Sequence, residues 1–249
     1  MSSLSSTRKR ALITGATSGI GRATALAFAQ QASTPEAAFD LILLGRSPVK
    51  IDQVLAEVSA CGCDVTAYPL DFSEVDQILP RLQAIQQEVG GIDILVNCAG
   101  IGYTGSIASI TLQDWQTLLT LNLTSALQCV QAVLPRMRQQ QSGHIINVAS
   151  IAAQQVFPDW GAYCVSKAAL ATLSKAIAVE ERGHGIRVTT IYPGSVNTPL
   201  WDTDTVSSTF DRSKMLTPEI VAQSILQVAM LPPGAIVEEL TLMPSAGAL

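Results

Sequence analysis

The sequence predicts a three-layer α/β fold, a doubly wound parallel sheet of about seven strands with helices on both faces. Three observations predict it. Short apolar, strand-like runs alternate with longer helical stretches along the whole chain. Of the 249 residues 48% are hydrophobic and only 14% charged, a balance that can bury a large core. Residues of unusual chemistry follow directly after the ends of strands, where ligands gather in an open parallel sheet. The length is near the limit of one α/β core, and no stretch reads as an interdomain linker, so residues 1–249 are expected to form a single domain.

The expected strands are Ala11 to Thr14, Leu41 to Gly45, Val65 to Pro69, Ile92 to Asn97, His144 to Ala149, Arg187 to Tyr192 and Glu239 to Met243. The first helix runs from Arg22 to Gln30. Later helices start at capping residues: Ser47 before Pro48, Ser73 with Asp76, Thr111 with Asp114, and Thr217 before Pro218. A further helix spans Gly161 to Arg182. The connector Ala32 to Asp40 is long for a loop of its kind, and Thr198 to Met215, rich in Thr, Ser and Asp, reads as a mobile flap.

Several function classes are excluded on composition. A net charge of -5 with no clustered basic face argues against nucleic acid. The odd cysteine count, five, has no disulfide framework and fits reduced thiols in the cytoplasm; Cys61-Gly62-Cys63 has no second pair to complete a metal site. Only two histidines, His144 and His184, are present, so no metal is expected. The apolar run after Arg8, Lys9 and Arg10 breaks at Thr14-Gly15, too early for an export signal. Trp115 to Pro135 is uncharged, but Gln116, Asn122, Gln128 and Gln131 interrupt it, so it reads as a buried interface helix rather than a membrane span. A homotetramer or homodimer is therefore expected.

Directly after the first strand stands Thr14-Gly15-Ala16-Thr17-Ser18-Gly19-Ile20-Gly21, followed by a helix. One glycine turns sharply, another admits a pyrophosphate to the backbone, and the third lets helix pack on strand, with phosphate at the helix N-terminus. At the ends of the next strands stand Arg46, Asp71, the run Asn97 to Gly100, Ser150, and Pro193-Gly194. Tyr163 and Lys167, four apart, share one helix face. The lysine ammonium would favour a tyrosinate. Bringing a phenol of pKa about 10 near 7 takes roughly 4 kcal/mol, so a cationic nicotinamide is called for as well.

With these pieces the chain resembles the short-chain dehydrogenase/reductases over nearly its whole length. The resemblance rests on TGATSGIG, Asn97-Cys98-Ala99-Gly100, Asn122, Ser150 thirteen residues before Tyr163, the segment YCVSK, and Pro193-Gly194 with Thr198. It implies a Rossmann-like fold in which Ser150 hydrogen-bonds the substrate oxygen and Tyr163 exchanges the proton. Lys167 binds the nicotinamide ribose and tunes Tyr163, and Asn122 holds a proton-relay water. The cofactor would lie along Gly15, Thr17, Ser18, Gly19, Ile20 and Gly21, then Arg46 and Asp71, then Asn97, Ala99 and Gly100. Tyr163, Lys167, Pro193, Gly194, Val196 and Thr198 complete its expected site. Cys98, where a second asparagine is frequent, is expected at most to loosen a bond of the fourth strand.

Arg46 points to NADP(H) over NAD(H). Counting about twenty residues from the glycine motif reaches Asp40, but the long connector puts Asp40 before its strand, away from the cofactor. Arg46 at the correct end can pair with the extra phosphate. The expected activity is hydride transfer between NADP(H) and a small ketone, aldehyde or secondary alcohol. Ile101, Ile151, Phe157, Leu200 and Trp201 suggest an apolar, aromatic-tolerant pocket. A 3-oxoacyl-[acyl-carrier-protein] reductase shares these residues, but Asp202, Asp204 and Asp211 in the flap suit an acidic carrier poorly. A cofactor-binding sensor without turnover would not need Ser150, Tyr163 and Lys167 together.

Overall fold

The structure, a computed structural model, describes residues 8–31 and 39–247. Its centre is a seven-stranded sheet in which every pairing is parallel, in the order β3-β2-β1-β4-β5-β6-β7. The strands are β1 (Lys9–Ile13), β2 (Phe39–Gly45), β3 (Val65–Pro69), β4 (Ile94–Asn97), β5 (Gly143–Val148), β6 (Ile186–Pro193) and β7 (Glu239–Leu242). The seven expected strands are found, shifted by a residue or two at their ends. The order reverses between β1 and β4, the point at which an open α/β sheet offers a crevice.

Strand alternation builds the two cores. Ala11, Ile13, Leu41, Leu43, Ile94, Val96, Ile146 and Val148 face one side, beneath α1 (Gly19–Gln31), α2 (Pro48–Ser59) and α7 (Pro218–Ala229). Their neighbours Leu12, Ile42, Leu44, Leu95 and Ile145 face the other, against α3 (Val75–Val89), α5 (Ser125–Gln140) and α6 (Gly161–Glu181). Because both faces are covered, the inner strands read as continuous apolar runs. Cutting one such residue back, as in Leu95→Ala, would cost roughly 2–5 kcal/mol.

The helix starts follow the capping residues with one exception. Ser47 accepts from the Lys50 N–H, and Thr111 accepts from the Asp114 N–H while donating to its carboxylate. Ser73 does not cap α3: its N–H and hydroxyl both bond Asp71 Oδ1, and the helix starts one residue later than that cap would give, at Val75. The uncharged stretch is not one regular helix. It comprises α4 (Leu112–Leu119), one π-helical turn (Thr120–Thr124) and α5. The spans Leu112–Gln140 and Gly161–His184 are apolar enough to cross a membrane, but about half of each is buried inside this fold, as for core helices. The connector expected from Ala32 falls mostly outside the described residues, with only Phe39 and Asp40 seen, inside β2.

Candidate active site

The site begins in the turn after β1. Thr14 Oγ1 accepts from the N–H groups of Cys98 (3.1 Å) and Ala99 (3.0 Å), fastening the loop after β4 to the loop after β1. The backbone of Cys98 is thus held whatever its side chain, and β4 keeps its register with β5 through Asn97 and Asn147. Gly15 has φ +64, and a Cβ on Gly21 would stand 2.3 Å from the Gly15 carbonyl oxygen, so neither position admits a side chain. The first turn of α1 carries no acid. Gly19, Ile20 and Gly21 lie there, where N–H groups lack an acceptor within the helix, the arrangement that suits a phosphate.

Next to this turn lies the end of β2. A Cβ on Gly45 would come 2.3 Å from Thr17 Cγ2, which sets Arg46 beside the glycine loop. Arg46 is exposed, with no ion pair or hydrogen bond to a described residue. Arg22, on α1 just past the loop, is held 2.6 Å from Glu57. Asp40 lies at the opposite end of the strand, level with Arg10 and 3.7 Å from Arg8, so it cannot reach the rim. Asp71 stands at the rim after β3, turned towards Ser73. Asn97 points elsewhere: its Nδ2 donates to Asn147 (2.8 Å), which donates to Ser174 (2.8 Å), a buried chain under the rim.

The central cluster gathers on β5, α6 and the π-turn. Tyr163 and Lys167, one turn apart on α6, are both buried, at 9% and 6% exposure. Lys167 Nζ donates to the Val148 carbonyl (3.1 Å) and lies 5.8 Å from the centre of the Tyr163 ring. Burial draws its ammonium down to about 8. Burial also pushes the Tyr163 phenol up to about 12, opposed by its hydrogen bond with Ser150. The expected lowering by Lys167 is not what sets this phenol. Without a further positive charge Tyr163 is a neutral acid, able to give a proton. Ser150 Oγ accepts from the Ala152 N–H (3.1 Å), which leaves its own hydrogen to donate.

Asn122 sits in the π-turn with both hydrogens of its amide used. Oδ1 accepts from Ile101 N–H (2.8 Å), while Nδ2 donates to the Ile101 carbonyl (3.0 Å) and to Ser166 Oγ (3.0 Å). A Cβ on Gly100 would lie 2.8 Å from that Oδ1 and 3.6 Å from Lys167 Nζ, so this loop runs between the two residues. The side chain of Asn122 fixes the loop.

Above the cluster a cavity opens to solvent. Ser150 and Tyr163 line it together with Ile20, Pro193, Gly194, Val196 and Thr198. A Cβ on Gly19 would touch Thr198, so the segment after β6 closes against the glycine loop. The far wall contains Ile151, Phe157, Leu200 and Trp201. Ile101 is not in this wall but packs behind it with Trp160 and Phe157. Trp160 and Phe210 do line it and are new. Tryptophan three residues after Phe157, near the start of an apolar helix, was the signal for the first; nothing marked Phe210. The flap is tied down, since Thr205 Oγ1 donates to the Gly102 carbonyl (2.8 Å) and Ser207 N–H to Thr104 Oγ1 (2.7 Å).

Among the described residues no group of His, Cys, Asp or Glu is placed to hold a metal ion. His144 is buried against Thr189 (2.9 Å), and all five cysteines are free thiols.

The family profile described as short chain dehydrogenase matches residues 9–207. The chain belongs to the short-chain dehydrogenase family. It is 33% identical to the sepiapterin reductase of Chlorobaculum tepidum, over 95% of this chain and 96% of that one. Among solved structures it is similar to an alcohol dehydrogenase from the archaeon Thermococcus sibiricus complexed with 5-hydroxy-NADP, with a TM-score of 0.86 at 24% identity. That match covers 98% of this chain and 99% of the other. A metagenomic short-chain oxidoreductase in complex with NADP gives a TM-score of 0.80 at 27% identity, covering 95% of this chain and 97% of that one. This family member is an oxidoreductase whose glycine turn, buried Tyr163–Lys167 pair and apolar cavity meet at one rim.

Proposed function

We propose that the protein is an NADP(H)-dependent carbonyl reductase or alcohol dehydrogenase acting on small ketones, aldehydes or secondary alcohols. The observation that carries this reading is Tyr163, lining an apolar cavity together with Ser150 and with the buried Lys167 one helical turn away.

The residues fit the cofactor. The glycine turn offers unpartnered N–H groups to the pyrophosphate. Lys167 uses one of its three N–H groups on Val148, leaving two for the hydroxyls of the nicotinamide ribose. Gly100, Val196 and Thr198 line the path between them. Arg46, exposed and without an ion pair to a described residue, suits a 2′-phosphate, and the metagenomic relative is described with NADP.

When bound, the nicotinamide supplies the hydride for reduction and accepts it in oxidation. Ser150 donates a hydrogen bond to the carbonyl oxygen and orients it. Tyr163, kept neutral by burial, gives its proton to that oxygen as charge builds there, and the product is the alcohol. In the reverse direction the same oxygen must be deprotonated, which needs the positive nicotinamide and the Lys167 ammonium together to stabilise the phenolate. The apolar walls exclude water and strengthen both effects.

The proposal extends to a homotetramer or homodimer in the cytoplasm, supported by exposed apolar residues on the long helices and by the free thiols. The test is NADPH oxidation against a panel of ketones, aldehydes and an acetoacetyl thioester. Turnover of simple carbonyls is expected. Preference for the thioester by orders of magnitude would move the protein to acyl-thioester reduction, and no turnover of any would contradict an enzymatic role.

A further inference from the structure

The far wall of the cavity is a continuous aromatic series that begins at the reacting residue. Trp160 packs edge-on against Tyr163, with ring centres 5.4 Å apart and planes at 72°. Trp201 follows Trp160 at 5.5 Å and 66°, and Phe210 follows Trp201 at 5.7 Å and 79°. All four rings border the cavity. Trp201 is locked in place, its indole N–H donating to the Val196 carbonyl at 2.7 Å. Phe210, at the outer end, packs on Trp201 and remains 39% exposed.

The chemistry of the wall is equally one-sided. Among the described residues no charged side chain lines the cavity. Arg212, two residues after Phe210, is used up: it donates to Asn197 (2.8 Å), Asp202 (2.5 Å) and the Thr198 carbonyl (3.1 Å). A substrate carboxylate or phosphate would lose its water and find hydroxyls but no cation, which is unfavourable. A flat ring, by contrast, would continue the edge-to-face series at the spacing that aromatic pairs prefer, and would gain more than a saturated ring of the same area.

We infer that the substrate is an uncharged aryl ketone, or the matching aryl carbinol, and that Trp160 and Trp201 select it by packing against its ring. This deepens the proposed carbonyl reduction and rests on it. The carbonyl oxygen is held by Ser150 and Tyr163, and the aryl group lies along the indoles towards Phe210. Hydride and proton add across the C=O bond as above, and the ring is untouched.

The test uses the full chain with NADPH and two matched pairs: acetophenone against cyclohexyl methyl ketone, and methyl benzoylformate against benzoylformate. The expected kcat/KM ratios are at least about tenfold for the aryl over the saturated ketone and about a hundredfold for the ester over the acid. In Trp201→Leu and Trp160→Leu the aryl preference should fall to within about threefold of unity. Trp201→Phe, which loses the bond to Val196 and keeps a ring, should retain most of it. Phe210→Leu, at the exposed rim where folding is not at stake, should lower it by about threefold. Equal efficiency for the two ketones in the wild type, an unchanged ratio in all these variants, or preference for the acid would overturn the inference while leaving carbonyl reduction intact. Turnover of neither ketone would overturn both.

Discussion

Asn122 and Ile101 are joined by two hydrogen bonds, the amide of one spanning the N–H and the carbonyl of the other at 2.8 and 3.0 Å. Ile101 closes the loop after β4, and Asn122 stands in the π-turn between α4 and α5. The extra residue of a π-turn lets the helix offer its side chain to a loop that a regular helix would pass by. This pair sets the height of Gly100 beside Lys167.

Asn122→Leu is therefore expected to strand the two backbone groups of Ile101, while the hydroxyl of Ser166 keeps its bond to the Tyr163 carbonyl. At about 1–3 kcal/mol for each buried group left unpaired, partial relaxation included, a loss of roughly 3 kcal/mol follows. Thermal unfolding should move down by roughly 5–10 °C, with turnover falling more than NADPH affinity. An unchanged Tm would show that the clamp holds nothing.

Arg46→Ala should lower the kcat/KM preference for NADPH over NADH by about tenfold or more, chiefly through KM for NADPH. Arg22 cannot substitute while it pairs with Glu57. Equal efficiency with both cofactors in the wild type, or an unchanged ratio in the variant, would remove Arg46 from phosphate recognition.

Subunit contacts are expected on the long helices, where Leu112 (69% exposed), Val165 (46%) and Val179 (76%) leave apolar surface outside the fold. Light scattering at micromolar concentration should give the mass of a tetramer or dimer. A mass near 26.3 kDa would contradict this.

His144 makes stability sensitive to acid. Thr189 Oγ1 donates to the Val237 carbonyl, so it accepts from His144 Nε2–H, and the buried Nδ1 has no partner to receive a second proton. Burial, with Arg187 and Lys9 adding to it, draws this imidazole down to about 3 from its ordinary 6.5. Between those values the unfolded chain binds more protons than the folded one, so stability rises with pH across the window and is lost as pH falls through it. Denaturant unfolding should lose on the order of 4 kcal/mol from this residue between pH 7 and pH 3, and His144→Gln should flatten the slope. An equal slope in both proteins would refute it.

The strands were legible because both faces of the sheet are covered, which writes each inner strand as an apolar run such as Leu41 to Leu44. The glycine turn, Ser150, Tyr163 and Lys167 were legible because each stands at a strand end or at helical spacing. What the sequence hid depends on side chains meeting across space. Ser73 resembled a cap but prefers Asp71, two residues away. The π-turn has no signature apart from an asparagine in an apolar helix. Asn97 looked like a rim residue and instead turns under the rim towards Asn147. The phenol of Tyr163 was expected to answer to Lys167, but burial dominates, since it acts on the whole ring while the ammonium lies 5.8 Å from its centre. Phe210 reaches the cavity only because the flap folds back over it.

The most direct test of proton transfer by Tyr163 is single-turnover reduction of a ketone by NADPH in the wild type and in Tyr163→Phe, with NADPH affinity measured on both. The variant should bind NADPH within about threefold of the wild type and reduce the ketone at least about a hundredfold more slowly, since only the acid has been removed. Reduction at the wild-type rate would contradict the account.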